Sequence, residues 1–313
     1  MKTRHTLLGA GLALAATALT LSLAFPHHAQ AATPQPEKPK KHLLVVTVTK
    51  GFRHDSIPVA EQTIQMLGEK TGEWETDFVR TDEDMQAKMT PEALKNYDGI
   101  VFANTTGVLP LPDPQGFLDW IKAGHGFAAM HSGSDTFHDW PGGAKGEVSA
   151  YADMLGGEFL THHSQCAISA HVADPKSPAL APIAKAAIPM QSAVGVDLHQ
   201  HTQAFKNGKN VTLEAFDEIY LLKNNDPSKV HVLLWLDKYP NDGSPDANKP
   251  EIHLISWVKS YGTGRVFYTE LGHRQEMWRD PLYQAHITGG LEFILGLKKG
   301  DTTPSKPLMT AAK

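Results

Sequence analysis

The chain is poor in cysteine: Cys166 is the only one in 313 residues. No intramolecular disulfide can form, and no thiolate pair can build a zinc site. The fold must be held by its core, and any metal by histidine and carboxylate. No H-E-x-x-H is present, and no H-x-H stands at a strand end, so no recognised ligand spacing announces a metal. Two opposed carboxylates, which an ordinary glycosidase needs, are not evident either. No internal repeat is found. Beyond residue 31 no segment approaches the roughly 20 apolar residues needed to span a bilayer.

Basic residues are in deficit, 29 Lys and Arg against 34 Asp and Glu, for a formal charge of −5. The first 31 residues carry two of the basic residues and no acid. Lys2 and Arg4 precede an apolar stretch from Leu7 to Phe25, followed by small residues at Ala29 and Ala31. This is the n-, h- and c-region pattern of a cleavable signal peptide, with a retained membrane anchor as the alternative. Cleavage after Ala31 is expected, giving a periplasmic or secreted protein with a mature charge of −7. An acidic chain lacking clustered Lys and Arg is a poor partner for nucleic acid or anionic membranes. The expected partner is a small molecule; the oligomeric state is left open.

Histidine is plentiful. Of 17 histidines, 14 lie beyond residue 31. They are either scattered over the surface or gathered into a site for proton transfer or metal binding.

After a Pro- and Lys-rich linker, 32–41, strand and helix patterns alternate. "HLLVVTVT" (42–49) and "GIVFAN" (99–104) are apolar runs suited to buried parallel strands. A helix is expected from Asp55 or Ser56 to Gly68 or Gly72, with Ile57, Ala60, Ile64 and Leu67 on one face. "GFAAMH" is a further strand, turning sharply at His131-Ser132-Gly133. The later half is richer in strands, with "KSYGTG" joining two of them as a hairpin. This order predicts an α/β fold of three layers with a mostly parallel central sheet and a β-rich C-terminal half. One domain over 42–297 and a disordered tail over 298–313 are expected. In such sheets, ligands bind outside the carboxyl ends of the strands. There the loops "KGFRHDS", "NTTG" and "HSGSDTFHDW" would meet.

The stretches "GFRHDSIP", "GFAAMHSGSDTFHDWP", "FDEIY" and "YGTGRVFYTELGH", in this order, resemble the ThuA-like (trehalose utilisation) family. The resemblance implies a flavodoxin-like fold of the class I glutamine amidotransferase type. There the elbow after the fourth strand carries a G-x-C-x-G nucleophile; here "AMHSG" puts His131 at that place, so the amidotransferase triad cannot form. The segment 184–214, with His199 and His201, is longer than the family leads one to expect and reads as a surface loop or a lid.

His54, His131 and His273 all fall at expected strand ends and are the candidate general bases or metal ligands. Asp135, four residues past the elbow, can orient a histidine, carry a proton, or close an Asx turn. Glu218 is a candidate acid/base or ligand. Ser132 would suit a Ser-dependent esterase but lies one residue off the tip. Substrate contacts are expected from Arg53, Ser132, Phe137, Trp140, His163 and Arg265. At most one of His162 and His163 can face the site, because adjacent strand residues point to opposite faces. Arg265 alternatively pairs with a carboxylate. No cofactor is certain; a divalent metal, zinc or manganese, is the candidate, with His54, His131 and His273 as its ligands.

The resemblance implies sugar metabolism, specifically of glycosides oxidised at C3. The expected function is an exported carbohydrate-active enzyme that cleaves or converts 3-keto-glycosides by histidine acid/base chemistry, metal-assisted or not. The alternative is a non-catalytic periplasmic carbohydrate-binding protein.

Overall fold

A computed structural model describes residues 39–141, 149–192 and 195–308. The expected signal peptide, residues 32–38 of the linker and the last five residues of the tail lie outside the described residues.

The first half alternates strands and helices as its periodicities dictate. In chain order come β1 (Lys41–Val46), α1 (Ile57–Thr71), β2 (Trp74–Val79), α2 (Asp82–Lys88), α3 (Pro91–Leu94), β3 (Gly99–Ala103), α4 (Pro114–Lys122) and β4 (Gly126–Met130). Helix starts follow local chemistry. Thr81 and Asp84 form a capping box on α2, and Asp113 caps α4. Ser56 precedes α1 but makes no side-chain cap; its hydroxyl is used elsewhere, as described below.

The second half contains α5 (Ala150–Leu155), β5 (Glu158–His162), β6 (Cys166–Val172), α6 (Ala181–Ala186), β7 (Ile188–Pro189), β8 (Gln203–Asn207), β9 (Asn210–Asp217), β10 (Tyr220–Lys223), β11 (His231–Leu236), β12 (His253–Tyr261), β13 (Gly264–Thr269), α7 (Gln275–Arg279) and α8 (Pro281–Ile294).

Eleven strands form one sheet in the order β2-β1-β3-β4-β13-β12-β11-β6-β9-β8-β7, and β5 pairs with β10 in a separate ribbon. The first five are parallel. With β13 as fifth strand they follow the 2-1-3-4-5 order of a doubly wound sheet. From β13 through β12, β11, β6 and β9 to β8 the pairing is antiparallel. The expectation of a mostly parallel sheet therefore holds for the five strands from β2 to β13 and for the β7–β8 pair at the far edge, and not for the strands between. Two of the antiparallel pairs, β8–β9 and β12–β13, are short hairpins, and a hairpin can only pair its strands antiparallel.

Period-two alternation separates two cores. Leu43, Val45, Val101, Ala103, Ala128 and Met130 pack with Ile64 of α1 and Ile287 and Leu291 of α8. Leu44, Val46, Ile100, Phe102, Phe127 and Ala129 face the other way, against Phe117 of α4 and Tyr151 of α5. Helices thus cover both faces of the parallel half.

Two expectations for segments are corrected. The segment 184–214 is loop only in part: the stretch 195–202, with exposed His199 and His201, is turn and coil as expected, while β7, β8 and the start of β9 lie at the sheet edge. Part of the expected disordered tail is docked. The backbone N–H of Ser305 donates to the Val230 carbonyl, and the Ser305 hydroxyl accepts from the Val232 N–H at 2.9 Å.

Candidate metal centre

The carboxyl ends of β1, β4 and β13 deliver His54, His131 and His273 to one point. Glu218, from the β9–β10 connection, joins them. One ligand atom from each of the four lies within 4.8 Å of all the others.

His131 is the pivot. It follows β4 in the left-handed backbone region, φ 48°, a conformation that costs a non-glycine residue energy and persists only where surroundings enforce it. They do so here. The Tyr268 hydroxyl donates to the His131 carbonyl at 3.0 Å, and the Tyr151 hydroxyl to the Gly133 carbonyl at 2.8 Å. Gly133 is required by the turn, since a Cβ there would lie 2.8 Å from the Ala129 Cβ and 3.1 Å from the Phe102 carbonyl.

The ring of His131 is fixed by its back nitrogen. Nδ1–H donates to the Glu270 carbonyl at 2.9 Å, so Nε2 carries the lone pair. Three groups crowd that lone pair: the Tyr220 hydroxyl at 2.8 Å, His54 Nε2 at 3.2 Å and His273 Nδ1 at 3.2 Å. Glu218 Oε2 stands 3.6 Å from His131 Nε2 and 3.1 Å from His273 Nδ1. One lone pair accepts one proton, so these neighbours compete for a single acceptor.

A cation would take all four groups at once. Tetrahedral zinc with ligands at about 2.05 Å has ligand–ligand edges of about 3.3 Å; four of the six separations run from 3.1 to 3.6 Å, and all six lie within 4.8 Å. Two outer contacts also suit metal ligation, in which an imidazole's remote nitrogen is held by an acceptor. His131 has the Glu270 carbonyl; His54 Nδ1 lies 3.3 Å from the Ser132 hydroxyl.

The four groups differ in protonation. Burial, then the neighbouring His131 and His273, lower His54 to about 3, so its imidazole is neutral at ordinary pH. Burial works to raise Glu218, but the neighbouring His131 and His273 rings outweigh it and hold the carboxyl well below the usual range. For His273, burial works downward and the Glu218 carboxylate more than reverses it, so the ring is raised. Burial and Glu218 push the Tyr220 phenol well up, keeping it protonated.

Two buried carboxylates clasp the site's halves together. Asp217, at the end of β9, accepts from the Gly272 N–H at 2.7 Å and the Arg274 N–H at 3.3 Å. Glu270, just past β13, accepts reciprocally from the Tyr220 N–H. Glu218 and His273 are therefore held between matched anchors. Asn104, at the end of β3, donates to the Gly272 carbonyl at 2.9 Å and to Ser56 Oγ at 3.0 Å. That hydroxyl is why Ser56 does not cap its helix.

The remaining expected site residues are placed differently. Asp135 does not reach the cluster: it accepts from His138 Nε2 at 2.5 Å. His138 Nδ1 in turn meets Glu158 at 2.6 Å, and Glu158 meets Lys223 at 2.9 Å. His163 is exposed; the residue facing the site is His162, whose Nδ1 lies 3.1 Å from Glu218 Oε1. Arg265 stands at the start of β13, at the opposite edge of the sheet, and donates to the Ile294 carbonyl at 2.9 Å. Phe137 is not a ligand wall but fully buried core, against Phe102, Tyr151 and a half-buried Trp140. Arg53 is exposed and donates to the Thr47 carbonyl. Ser132 is fully buried beside His54, whose other ring nitrogen faces His131 rather than an orienting carboxylate, so the esterase geometry is lacking.

Tyr220 and Glu270 were not expected at the site. "FDEIY" carried a signal for the first: two residues past Glu218 on a strand, Tyr220 returns to the same face.

The chain matches the ThuA family, described as trehalose utilisation, over residues 42–294. It belongs to that family. Among solved structures it is similar to a putative ThuA-like protein of Parabacteroides merdae, with TM-score 0.58 and 16% identity over 86% of this chain and 94% of that one. A putative ThuA-like protein of Bacteroides uniformis gives TM-score 0.56 and 16% identity over 85% and 95%. No curated protein matches this ThuA-family sequence. At such identity the structural likeness carries the fold; membership of the family suggests carbohydrate metabolism.

Proposed function

We propose that this ThuA-family protein is an exported, metal-assisted enzyme cleaving 3-keto-glycosides. The observation that carries the reading is the convergence of three imidazoles and one carboxylate on one point, their ligand atoms all within 4.8 Å of one another. His54, His131, His273 and Glu218 would hold a divalent cation of the zinc or manganese class. Such an ion supplies Lewis-acid stabilisation to the 3-oxo oxygen as it becomes an enolate.

The chain's residues do the rest. A 3-ketone acidifies the C2 proton. His162, 45% exposed at the side chain and beside Glu218, is the base on the open side of the cluster. It takes the C2 proton, the electron pair forms the C2–C3 enolate, and the C1–O bond to the aglycone then breaks, the proton passing to the departing aglycone oxygen and leaving a C1=C2 enone. Water adds its hydroxyl at C1 and a solvent proton enters C2, giving net hydrolysis. Export is expected from residues 1–31, and native protein should begin at Ala32.

The test compares a 3-keto-glucoside with its unoxidised parent in D₂O. Deuterium should enter C2 of the product, and the parent should be inert. His162→Ala should cost roughly 100- to 10,000-fold, the usual contribution of a general base. His131→Ala should lose both metal and turnover. Equal cleavage of the parent, or a fully active His162 variant, would defeat the mechanism. Binding of the keto-sugar without turnover would favour the carbohydrate-binding alternative.

A further inference from the structure

The single lone pair of His131 Nε2 has a consequence for Tyr220. With Nδ1–H committed to the Glu270 carbonyl, Nε2 can either accept the Tyr220 proton or bind a cation. When a cation takes the lone pair, the phenol must find another acceptor. Tyr220 is only 3% exposed, and an unpaired buried hydroxyl costs about 1–3 kcal/mol. The ring has little room to swing away. Its backbone N–H is held by Glu270, its face lies tilted against His131 with centroids 4.4 Å apart, and Phe159 packs on it at 4.5 Å. Only the hydroxyl hydrogen is free to turn.

We infer that Tyr220 is a further catalytic residue, whose hydroxyl turns from His131 to donate a hydrogen bond to the substrate oxygen seated at the four-residue cluster. This rests on the reading above. The group it would serve is a carbonyl oxygen that gains negative charge, here the 3-oxo oxygen of an oxidised sugar. A neutral, preoriented and buried donor is suited to that charge. No proton changes hands at Tyr220: the hydrogen bond strengthens as the enolate forms and relaxes as it collapses.

The experiment has two arms. In the kinetic arm, Tyr220→Phe should lower kcat by about 100- to 1000-fold, the usual loss for one such donor, with KM and metal stoichiometry unchanged. Full kcat in this variant, or loss of its metal, overturns the inference. The second arm needs no substrate. The chain is labelled with tyrosine carrying ¹³C at Cζ, and the Tyr220 resonance is identified by its absence in Tyr220→Phe. Adding Zn(II) to metal-stripped protein should move that resonance while it stays in the phenol range. A resonance that ignores zinc shows that the lone pair was never contested. One that shifts to phenolate makes Tyr220 a ligand instead of a donor. Either overturns the inference. If wild-type protein turns over no 3-keto-glycoside, the proposed reaction fails, and the resonance still decides whether the hydroxyl is released.

Discussion

Removing and restoring a divalent cation tests the candidate centre directly. An ion that binds the folded chain but not the unfolded one stabilises it by mass action, about 2.7 kcal/mol at a hundred times its Kd. The unit Pro39–Lys313, at about 2.1 cal/mol/K of unfolding entropy per residue, has a total of roughly 0.6 kcal/mol/K. The expected rise in Tm on adding zinc or manganese to chelator-treated protein is therefore about 5 °C. Differential scanning calorimetry reads it, and elemental analysis should find one ion per chain. His273→Ala and Glu218→Gln should each abolish the rise. His162→Ala should keep it, because His162 touches Glu218 from outside the four-residue set. The pH dependence has a definite sign. His54, lowered to about 3, offers a free lone pair throughout the working range. His273 is raised, so the ion must displace a proton held against Glu218, and the rise in Tm should shrink as pH falls through the imidazole range. No rise with any divalent cation, together with substoichiometric metal, would refute the assignment of the cluster as a metal centre.

His138 lies between two carboxylates that each need a donor, so both ring nitrogens are protonated and its pKa is raised, by Asp135 first and then by Glu158 against the opposing effect of burial. A raised folded value stabilises below the unfolded pKa and is lost as pH rises through the folded one; hydrogen exchange at Asp135–Asp139 should accelerate over that interval, and in Asp135→Asn the step should move to lower pH. Phe137→Ala should cost about 3–5 kcal/mol in denaturant unfolding, the range for truncating a buried aromatic, whereas a substrate-contacting residue would lower activity with little loss of stability. Cys166→Ala should leave metal content unchanged, because the thiol is buried and raised to about 12, by burial first and then by Asp242, Glu270 and Asp217.

Much of the parallel half was legible because its information is local. Apolar runs such as "HLLVV" and "GIVFA" leave no choice but burial on both faces, and the helices between them carry their own caps and stops. Strand ends in such a sheet fall on one edge, which is why His54, His131 and His273 could be expected together before any coordinates. The same rule should have excluded Arg265. It opens the strand that ends at Thr269, about 13 Å away at roughly 3.3 Å per residue.

Pairings between distant segments were decided only in three dimensions. Whether His162 or His163 faces the site depends on the β5–β10 register, which shifts at Leu221/Leu222. Asp135 could reach the cluster or turn away, and it turns because His138 and Glu158 offer a closer, charged partnership. Tyr220 and Glu270, 50 residues apart, meet through a backbone bond that no spacing announces. The sequence by itself determined which residues sit at strand ends and which runs are buried, since periodicity and propensity act within a few residues. The tertiary structure decided which nitrogen of each ring faces inward and which hydrogen bonds compete for it. Those choices are set by groups brought together from across the chain.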